Sequence, residues 1–539
     1  MRDNRLTFET GTIHYLRRQY CSLMLKLSNR LVQWRLRVHQ MKKLLFLLVL
    51  IVLSTGTVVC AQSNSAQTIT NPVQLANSTW PIFHANANAT AASPNSGPGD
   101  VQTAQTVPAL TNRPRQRPNV SPWTVMAEPY ADGSQAVITT PNNGLAKYLL
   151  KDGILEPVDF LPLDRKFFDF DWSILLLNNR LGVATEQKHN RFVLFGDANS
   201  SPQAQLEVKS RITIDESRYG KISSHFSLAP DGHLIALTRA NQLIAIDLVR
   251  QTVVASTDLP VASGISFHNS FPIDDTGRIY LSTQTLMAAI DWNGETFQSA
   301  WTAPYDMRGP GCEARPTNLS AREEVLAVAR GELCTGSGTT PTLIGDRSTG
   351  VVVIVDGHAP QNNLVAFWRD QPPADWQPLD DLTRAGQRLS PHVAGVLALP
   401  LSTPEGDGYT AENSPAVLGN AIVVAQWEGF RPKRNAPRGV QRVDWNPALR
   451  QFELVWANPD IHFNGVPTIA CTASRLCRTY GMGRYRRDYE YTSLDLATGV
   501  ETGRVSLGRQ QDVLGQGNNH AVAADGAIVD SGRCAMVRV

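Results

Sequence analysis

The chain has 539 residues, of which 42% are hydrophobic and 18% charged, with 50 basic side chains against 48 acidic ones. This balance provides neither the basic surface that nucleic acid requires nor an acidic tail, so a nucleic-acid partner is not expected. Eleven Trp with 39 Gly and 33 Pro favour strands and turns over helices.

Residues 1–61 are predicted to be a leader. Met41-Lys42-Lys43, a candidate translation start, precedes an apolar run from Leu44 to Leu53 that ends at small residues near Ala61. A basic start, an apolar centre and a small-residue exit are typical of a secretory signal peptide, and the run is short for a membrane span of about 20 residues. The sequence predicts a secreted or periplasmic protein; only an uncleaved leader would give it membrane contact.

Residues 62–118 are rich in Ser, Asn, Thr, Ala, Pro and Gln and show little periodicity. Such a composition buries little apolar surface and predicts a low-complexity linker, mostly extended. Within it, the stretch from Val101 to Leu110 alternates as a strand does.

From residue 119 to residue 539 a unit recurs: an apolar strand, a tight turn, a second strand, and a third strand ending in an apolar-Asp-apolar step. Residues 226–238 and 271–283 are two copies of its first half. Turn-forming pairs between the first two strands mark eight units: Asp132-Gly133, Asn178-Asn179, Asp231-Gly232, Thr276-Gly277, Gly345 to Gly350, Gly419-Asn420, Ala473-Ser474 and Asp525-Gly526.

Eight hairpin-linked units with almost no helical periodicity predict an all-β fold, a single eight-bladed β-propeller. The last unit lacks an outer strand before the chain stops at Val539. The segment from Val101 to Leu110 is predicted to supply that strand and to cover the exposed edge.

This repeat resembles that of the quinoprotein (pyrroloquinoline-quinone-repeat) alcohol-dehydrogenase-like propellers. Trp80-Pro81, His84 and Gly97-Pro98 are similar to the opening segment of many secreted members. The resemblance implies the fold over residues 80–539. Enzymes of that family that hold the quinone place two adjacent cysteines against its ring, and this sequence has no Cys-Cys pair. Pyrroloquinoline quinone is therefore not expected as a cofactor.

In a propeller, the residues just before each innermost strand gather around the axis. Here these positions are polar, and they predict an axial funnel for an ion or a polar ligand. The candidate funnel residues are Asp171, His225, His268, Asn269, Thr340, Glu412, Asn413, Asn464, Asn519 and His520. The alternative reading is that these side chains only cap strands.

A cation at the funnel would be calcium, which prefers six to eight oxygen ligands. The oxygen donors available to it are Glu412, Asn413, Asn464, Asn519 and Asn269. Propeller lactonases are similar in using one Glu and several Asn around an axial calcium. The histidines of the funnel lack the spacing of a zinc site.

Close spacing predicts two disulfides, Cys312–Cys334 and Cys471–Cys477, which an oxidising compartment permits. Two classes of function remain open. The first is a ligand-binding or assembly module for a small polar molecule or an exported protein. The second is a quinoprotein-like oxidoreductase or a calcium-dependent lactonase-like hydrolase.

Overall fold

The computed structural model of the chain describes residues 72–93, 97–110, 123–141, 143–164, 173–260, 270–307, 337, 339–357, 361–380, 388–402, 413–426, 438–485, 488–509, 520–532 and 535–539. Regular structure within these ranges is almost entirely β. Helical turns in them are short: α1 (Glu216–Tyr219) and 3-10 turns at Asn178–Arg180, Gln187–His189 and Pro400–Ser402. None of these has the length and apolar character that a bilayer span requires.

Two short strands, β1 (Ala92–Ser93) and β2 (Gln105–Pro108), precede the eight blades. Blade 1 comprises β3 (Thr124–Met126), β4 (Gln135–Thr139), β5 (Gly144–Lys151) and β6 (Ile154–Pro162). Blade 2 comprises β7 (Leu175–Leu176), β8 (Leu181–Glu186), β9 (Arg191–Asp197) and β10 (Leu206–Thr213), and blade 3 comprises β11 (Ile222–Leu228), β12 (Leu234–Thr238), β13 (Gln242–Asp247) and β14 (Thr252–Asp258). Blade 4 comprises β15 (Arg278–Ser282), β16 (Leu286–Trp292) and β17 (Phe297–Pro304).

Blade 5 comprises β18 (Thr342–Ile344), β19 (Val351–Val355), β20 (Asn363–Trp368) and β21 (Val393–Ala398). Blade 6 comprises β22 (Ala416–Leu418), β23 (Ala421–Ala425), β24 (Val440–Asn446) and β25 (Gln451–Asn458), and blade 7 comprises β26 (Thr468–Cys471), β27 (Cys477–Tyr485), β28 (Asp488–Asp495) and β29 (Glu501–Arg509). Blade 8 comprises β30 (Ala521–Val522), β31 (Ile528–Ser531) and β32 (Ala535–Arg538).

Within each blade, neighbouring strands are antiparallel and follow the order of the sequence from the axis outward, except that β2 is the outermost strand of blade 8. Strand β1 adds to blade 7 in parallel with β26. In blade 4 the innermost position is reduced to a single bridge between Ile273 and Ile279. Contacts between β3 and β7, between β18 and β22, and between β22 and β26 join neighbouring blades, and contacts of β3 with β30 close the ring. The eight-bladed propeller that the repeat predicts is confirmed.

Blade 8 is completed from the other end of the chain. Strand β2 pairs antiparallel with β32, with Gln105 opposite Arg538 and Pro108 opposite Ala535. The outer strand therefore comes from within the segment from Val101 to Leu110, as the sequence predicts. This pairing covers the edge that β32 would otherwise expose.

The turns between first and second strands fall at all eight predicted markers. In blade 8 the carboxylate of Asp525 accepts a hydrogen bond from the N–H of Ala527 at 2.9 Å, and Gly526 has φ +88°. Glycine reaches this left-handed conformation without a Cβ clash, which is why an Asp-Gly pair recurs at these hairpins.

The apolar-Asp-apolar step has a local cause as well. Asp247 ends the third strand of blade 3, and its Oδ1 accepts the N–H groups of Val249 and Arg250, both at 2.8 Å. The flanking Ile246 and Leu248 are buried. The aspartate caps the turn into the fourth strand while its neighbours pack into the blade, so the step repeats with the turn.

Residues 72–93, here called the axial segment, run through the centre of the ring. The inner strands of blades 4 to 7 each donate one backbone N–H to it at 2.8–3.2 Å: Ile273 to Ala87, Leu343 to Asn88, Val417 to Thr90 and Ile469 to Ala91. In blades 1 and 2, Met126 and Leu176 donate to Trp80 and Pro81 at 2.8 and 2.7 Å. The axis is therefore filled by the chain itself.

The sequence places the axial segment in a low-complexity linker, whereas the structure buries Trp80, Ala85 and Ala91 in the ring. Small residues such as Ala91 let the backbone of the segment approach the inner strands closely enough to accept their N–H groups. The same Ala-, Asn- and Thr-rich composition that is typical of a linker thus serves as an axial filler.

Candidate functional site

The candidate site lies on the axis, at the end of the ring where the inner strands begin. Trp80, Phe83, His84 and Ala91 of the axial segment face the strand starts of blades 1, 7 and 8 across a cavity of about 10 Å³. The residues that those blades contribute are Thr124, Val466, Thr468 and His520.

His84 is held in a specific and strained position. Its backbone has φ +60° and that of Ala85 has φ +76°, conformations that non-glycine residues adopt at a cost of roughly 1–3 kcal/mol. The ring centroid of His84 lies 3.5 Å from that of Phe83, and its carbonyl accepts the N–H of Ala91 at 2.9 Å. Burial lowers the pKa of His84 to about 3, so its imidazole is neutral at ordinary pH.

His520 is buried between two polar side chains. Its Nδ1 lies 2.7 Å from the hydroxyl oxygen of Tyr491 and 2.9 Å from Oδ2 of Asp530. All three side chains are buried, and burial raises the pKa of the Tyr491 hydroxyl, which stays protonated. The Nε2 of His520 and the Oγ1 of Thr124 have no hydrogen-bond partner. Two polar atoms without a protein partner therefore belong to residues that line one small cavity.

The structure describes five of the ten predicted funnel residues. Thr340 and Asn413 form hydrogen bonds to other residues of the propeller. The hydroxyls of Thr340 and Ser270 share a hydrogen bond of 2.7 Å, and the Asn413 amide donates to the Ala425 carbonyl at 3.2 Å. His225 is buried in a bulge of β11, and the Asn464 N–H bonds the Met482 carbonyl. Of these five, only His520 lines the axial cavity. Asp171, His268, Asn269, Glu412 and Asn519 lie outside the described residues.

Sequence reasoning missed Thr124, Tyr491 and Asp530, and noted His84 only as part of a resemblance. The sequence does contain one indication of Asp530, because a carboxylate directly after Ile528 and Val529 is unusual in a strand whose residues are all buried. Thr124 and Tyr491 carry none, since hydroxyl and aromatic residues are ordinary in strands.

Among the described residues, no three His, Cys, Asp or Glu side chains converge in a metal-binding group. Of the predicted calcium ligands, Glu412, Asn269 and Asn519 lie outside the described ranges, so the calcium site stays a prediction. The axial cavity that Trp80, Phe83 and His84 line has a volume of about 10 Å³, which is too small for the ring system of a quinone.

A larger cavity, of about 540 Å³, lies on the other side of the axial segment, by the turns of blades 1 and 8. Several of its polar side chains already have protein partners, among them Ser78, Thr79 and Gln135. The amide of Gln135 donates to the Ala127 carbonyl at 2.6 Å and accepts the Ala524 N–H at 2.9 Å. The lining residues carry no charged side chain, so the cavity offers little to an ionic ligand.

The Cys471–Cys477 disulfide is confirmed, and it links directly opposed residues of β26 and β27. The predicted Cys312–Cys334 bridge lies outside the described residues.

No protein-family model matches the chain. An uncharacterized protein of Archaeoglobus fulgidus is 24% identical over 373 residues, which cover 64% of this chain and 66% of that relative, just under two thirds of its length. Among solved structures, the chain is similar to BamB from Moraxella catarrhalis (11% identity, 81% of this chain and 98% of that one, TM-score 0.44) and to quinohemoprotein alcohol dehydrogenase from Comamonas testosteroni (10% identity, 85% of this chain and 80% of that one, TM-score 0.48).

Proposed function

We propose that the protein is an exported binding or assembly module whose partner is another exported protein. The observation that carries this proposal is the filled axis: the axial segment hydrogen-bonds to inner strands around the ring. A propeller that encloses a substrate keeps its axial channel open at one end. This chain uses the same space to fasten its own N-terminal part.

The size of the axial cavity supports a module over an enzyme. Sites for small molecules and cofactors typically have about 300–1,000 Å³, whereas the cavity beside His520 has about 10 Å³. Both alternative activities, oxidation with a quinone and calcium-dependent hydrolysis of a lactone, would need a substrate-sized space next to an acid or base. The cavity beside His520 is too small for that, and the cavity of about 540 Å³ on the other side of the axial segment has no acidic or basic side chain in its lining.

The exposed apolar side chains favour a protein partner. Val249, Leu449, Leu476 and Val500 lie in turns that join first to second or third to fourth strands, and they are 40–62% exposed. Because strands alternate in direction, these turns share one face of the ring. Apolar residues at several turns of one face are better suited to contact a protein surface than to bind a small polar molecule. The disulfide agrees with an exported protein.

The test combines a binding arm and an activity arm on the full chain. Zero-length crosslinking in cells that export the protein identifies a partner, which is then purified and titrated against the chain. We expect the paired substitution Leu476→Asp and Val500→Asp to weaken that binding at least tenfold. Val254→Asp on the outer strand β14, which is 43% exposed, is the matched control and should leave the affinity unchanged.

In the activity arm, we expect no turnover of alcohols with added pyrroloquinoline quinone and none of lactones with calcium. Turnover in either assay would contradict the proposal. Equal loss of binding in the Val254→Asp control would show that the turn face is not the docking surface.

A further inference from the structure

We propose that the cavity of about 540 Å³ beside the axial segment receives an uncharged loop of the exported partner. This inference rests on the proposed function, because it names the part of the partner that the turn face holds. The axial segment runs through the centre of the ring, and the cavity lies between that segment and the turns of blades 1 and 8. The cavity therefore lies near the middle of the face whose turns carry the exposed apolar residues.

The position of the cavity follows from the elements that line it. Pro129 and Gln135 flank the turn between the first two strands of blade 1, and Ala524 lies in the same turn of blade 8. Asn77 belongs to the axial segment, which forms the rest of the described lining. Because Asn77, Pro129 and Ala524 are exposed, the cavity is accessible from the turn face, where the partner is proposed to dock.

The volume and the composition of the lining favour a peptide loop over a ring-shaped ligand. Binding sites typically measure about 300–1,000 Å³ and are lined mainly by hydrophobic and aromatic side chains. The cavity falls within this size range, but its described lining has no aromatic residue. Ala85, Ala87 and Ala92 lie there beside amide and hydroxyl side chains. A ring-shaped ligand would find no flat platform on which to stack.

Hydrogen bonds within the lining leave both acceptors and donors for an occupant. The hydroxyl of Ser78 donates to a backbone carbonyl at 2.6 Å, and the hydroxyl of Thr79 also donates to a backbone carbonyl. A hydroxyl has only one proton to donate, so both groups can only accept further hydrogen bonds. The side-chain amide of Gln135 donates one of its two protons to a carbonyl at 2.6 Å and retains the other. Since each peptide group has one donor and one acceptor, a peptide loop complements this set.

The absence of charge in the described lining determines which loops can enter. None of the described lining residues is acidic or basic. A charged side chain that entered the cavity would lose its water without gaining an opposite charge, which is costly. Apolar, hydroxyl and amide side chains avoid that cost. The inserted part of the partner should therefore contain no Asp, Glu, Lys or Arg.

The first arm of the test places the photocrosslinking amino acid benzoylphenylalanine at position 524 in cells that export the protein. Ala524 is exposed and lies in a turn, so the change leaves the core of blade 8 intact. We expect a crosslink to another exported protein, within a segment of several residues that has no charged side chain. The matched control is the same amino acid at position 198, where Ala198 is exposed in a turn of blade 2 outside the lining. It should not capture that segment.

The second arm titrates the captured protein, once purified, against the full chain and its variants. Ala524→Trp fills the cavity from a turn, and Asn77→Trp fills it from the axial segment. We expect each to weaken binding at least tenfold, and we expect the same of Ala524→Asp, which puts a charge into an uncharged site. Ala524→Ser adds neither bulk nor charge and should bind as the wild type does, as should Ala198→Trp. Circular dichroism checks the fold of each variant.

The outcomes separate this inference from the proposed function. Unchanged affinity in Ala524→Trp and Asn77→Trp, with binding lost in the paired Leu476→Asp and Val500→Asp variant, would overturn the inference and leave the docking face standing. Binding lost in the cavity variants but kept in the paired variant would support the inference and move the docking surface to the cavity alone. An equal loss in Ala198→Trp would overturn the inference. So would a crosslink from position 524 only to a second copy of the chain, or none.

Discussion

Replacing Lys147 by methionine should destabilise the ring, because it leaves a buried carboxylate without its partner. Lys147 lies in the third strand of blade 1 with its side chain fully buried. Its Nζ binds Oδ1 of Asp197 in blade 2 at 2.6 Å and donates to the Ala204 carbonyl at 2.9 Å. The Tyr130 hydroxyl donates to the other oxygen of Asp197 at 2.5 Å. This network fastens blade 1 to blade 2.

The size of the effect follows from the burial of both charges. Removing one partner of a buried ion pair leaves the other charge unpaired and costs about 3–5 kcal/mol, whereas replacing the whole network by apolar residues of similar volume is often neutral. Lys147→Met and Asp197→Leu should therefore each cost about 3–5 kcal/mol. The triple variant Lys147→Met, Asp197→Leu and Tyr130→Phe should lie within about 2 kcal/mol of wild type.

The assay is thermal unfolding of all four proteins, wild type included, followed by circular dichroism. An unfolding entropy of about 2.1 cal/mol/K per residue over roughly 470 residues gives about 1 kcal/mol per degree. The single variants should therefore melt roughly 3–5 °C below wild type and the triple variant roughly 0–2 °C below it. Additive losses, with the triple variant the least stable, would refute the assignment of Lys147 and Asp197 as a coupled buried pair.

Three further predictions concern other parts of the ring. Val107→Asp, at a buried position of β2, should lower the melting temperature by several degrees because it opens the closure of blade 8, whereas the same change at the exposed Val254 should have no effect; equal melting of the two would contradict the closure. Gly481→Ala should cost about 1–3 kcal/mol in chemical denaturation, because the added Cβ would lie 2.2 Å from Cγ of Phe463; an unchanged midpoint would show that the ring of Phe463 can move aside. Burial alone would raise the pKa of Asp274, but the hydrogen bonds it accepts outweigh burial and hold that pKa below its ordinary value. The stabilisation from Asp274 is then present above the unfolded pKa and is lost as the pH falls through the folded one, so Asp274→Asn should flatten the acid limb of the stability curve below about pH 4; an identical acid limb would refute this.

The sequence alone determined the blades, because each is built from contacts local in the chain. The turn of blade 8 at Asp525 and Gly526, and the cap of blade 3 at Asp247, are satisfied within a few residues by their own hydrogen bonds. Eight such hairpins can be counted without knowing how they are arranged. The missing outer strand and the disulfide between Cys471 and Cys477 follow from the same count and from short spacing.

Only the tertiary structure decided what occupies the axis and which residues meet there. The axial segment has no periodicity of its own and is ordered by hydrogen bonds to strands far along the chain; the Thr79 hydroxyl donates to the Val522 carbonyl across 443 positions. His84, Thr124 and His520 meet for the same reason: closure of the ring brings the first and last blades together around the segment that fills its centre. Nothing in the spacing of those residues encodes this contact, because it depends on the number of blades and on the width of the channel they enclose.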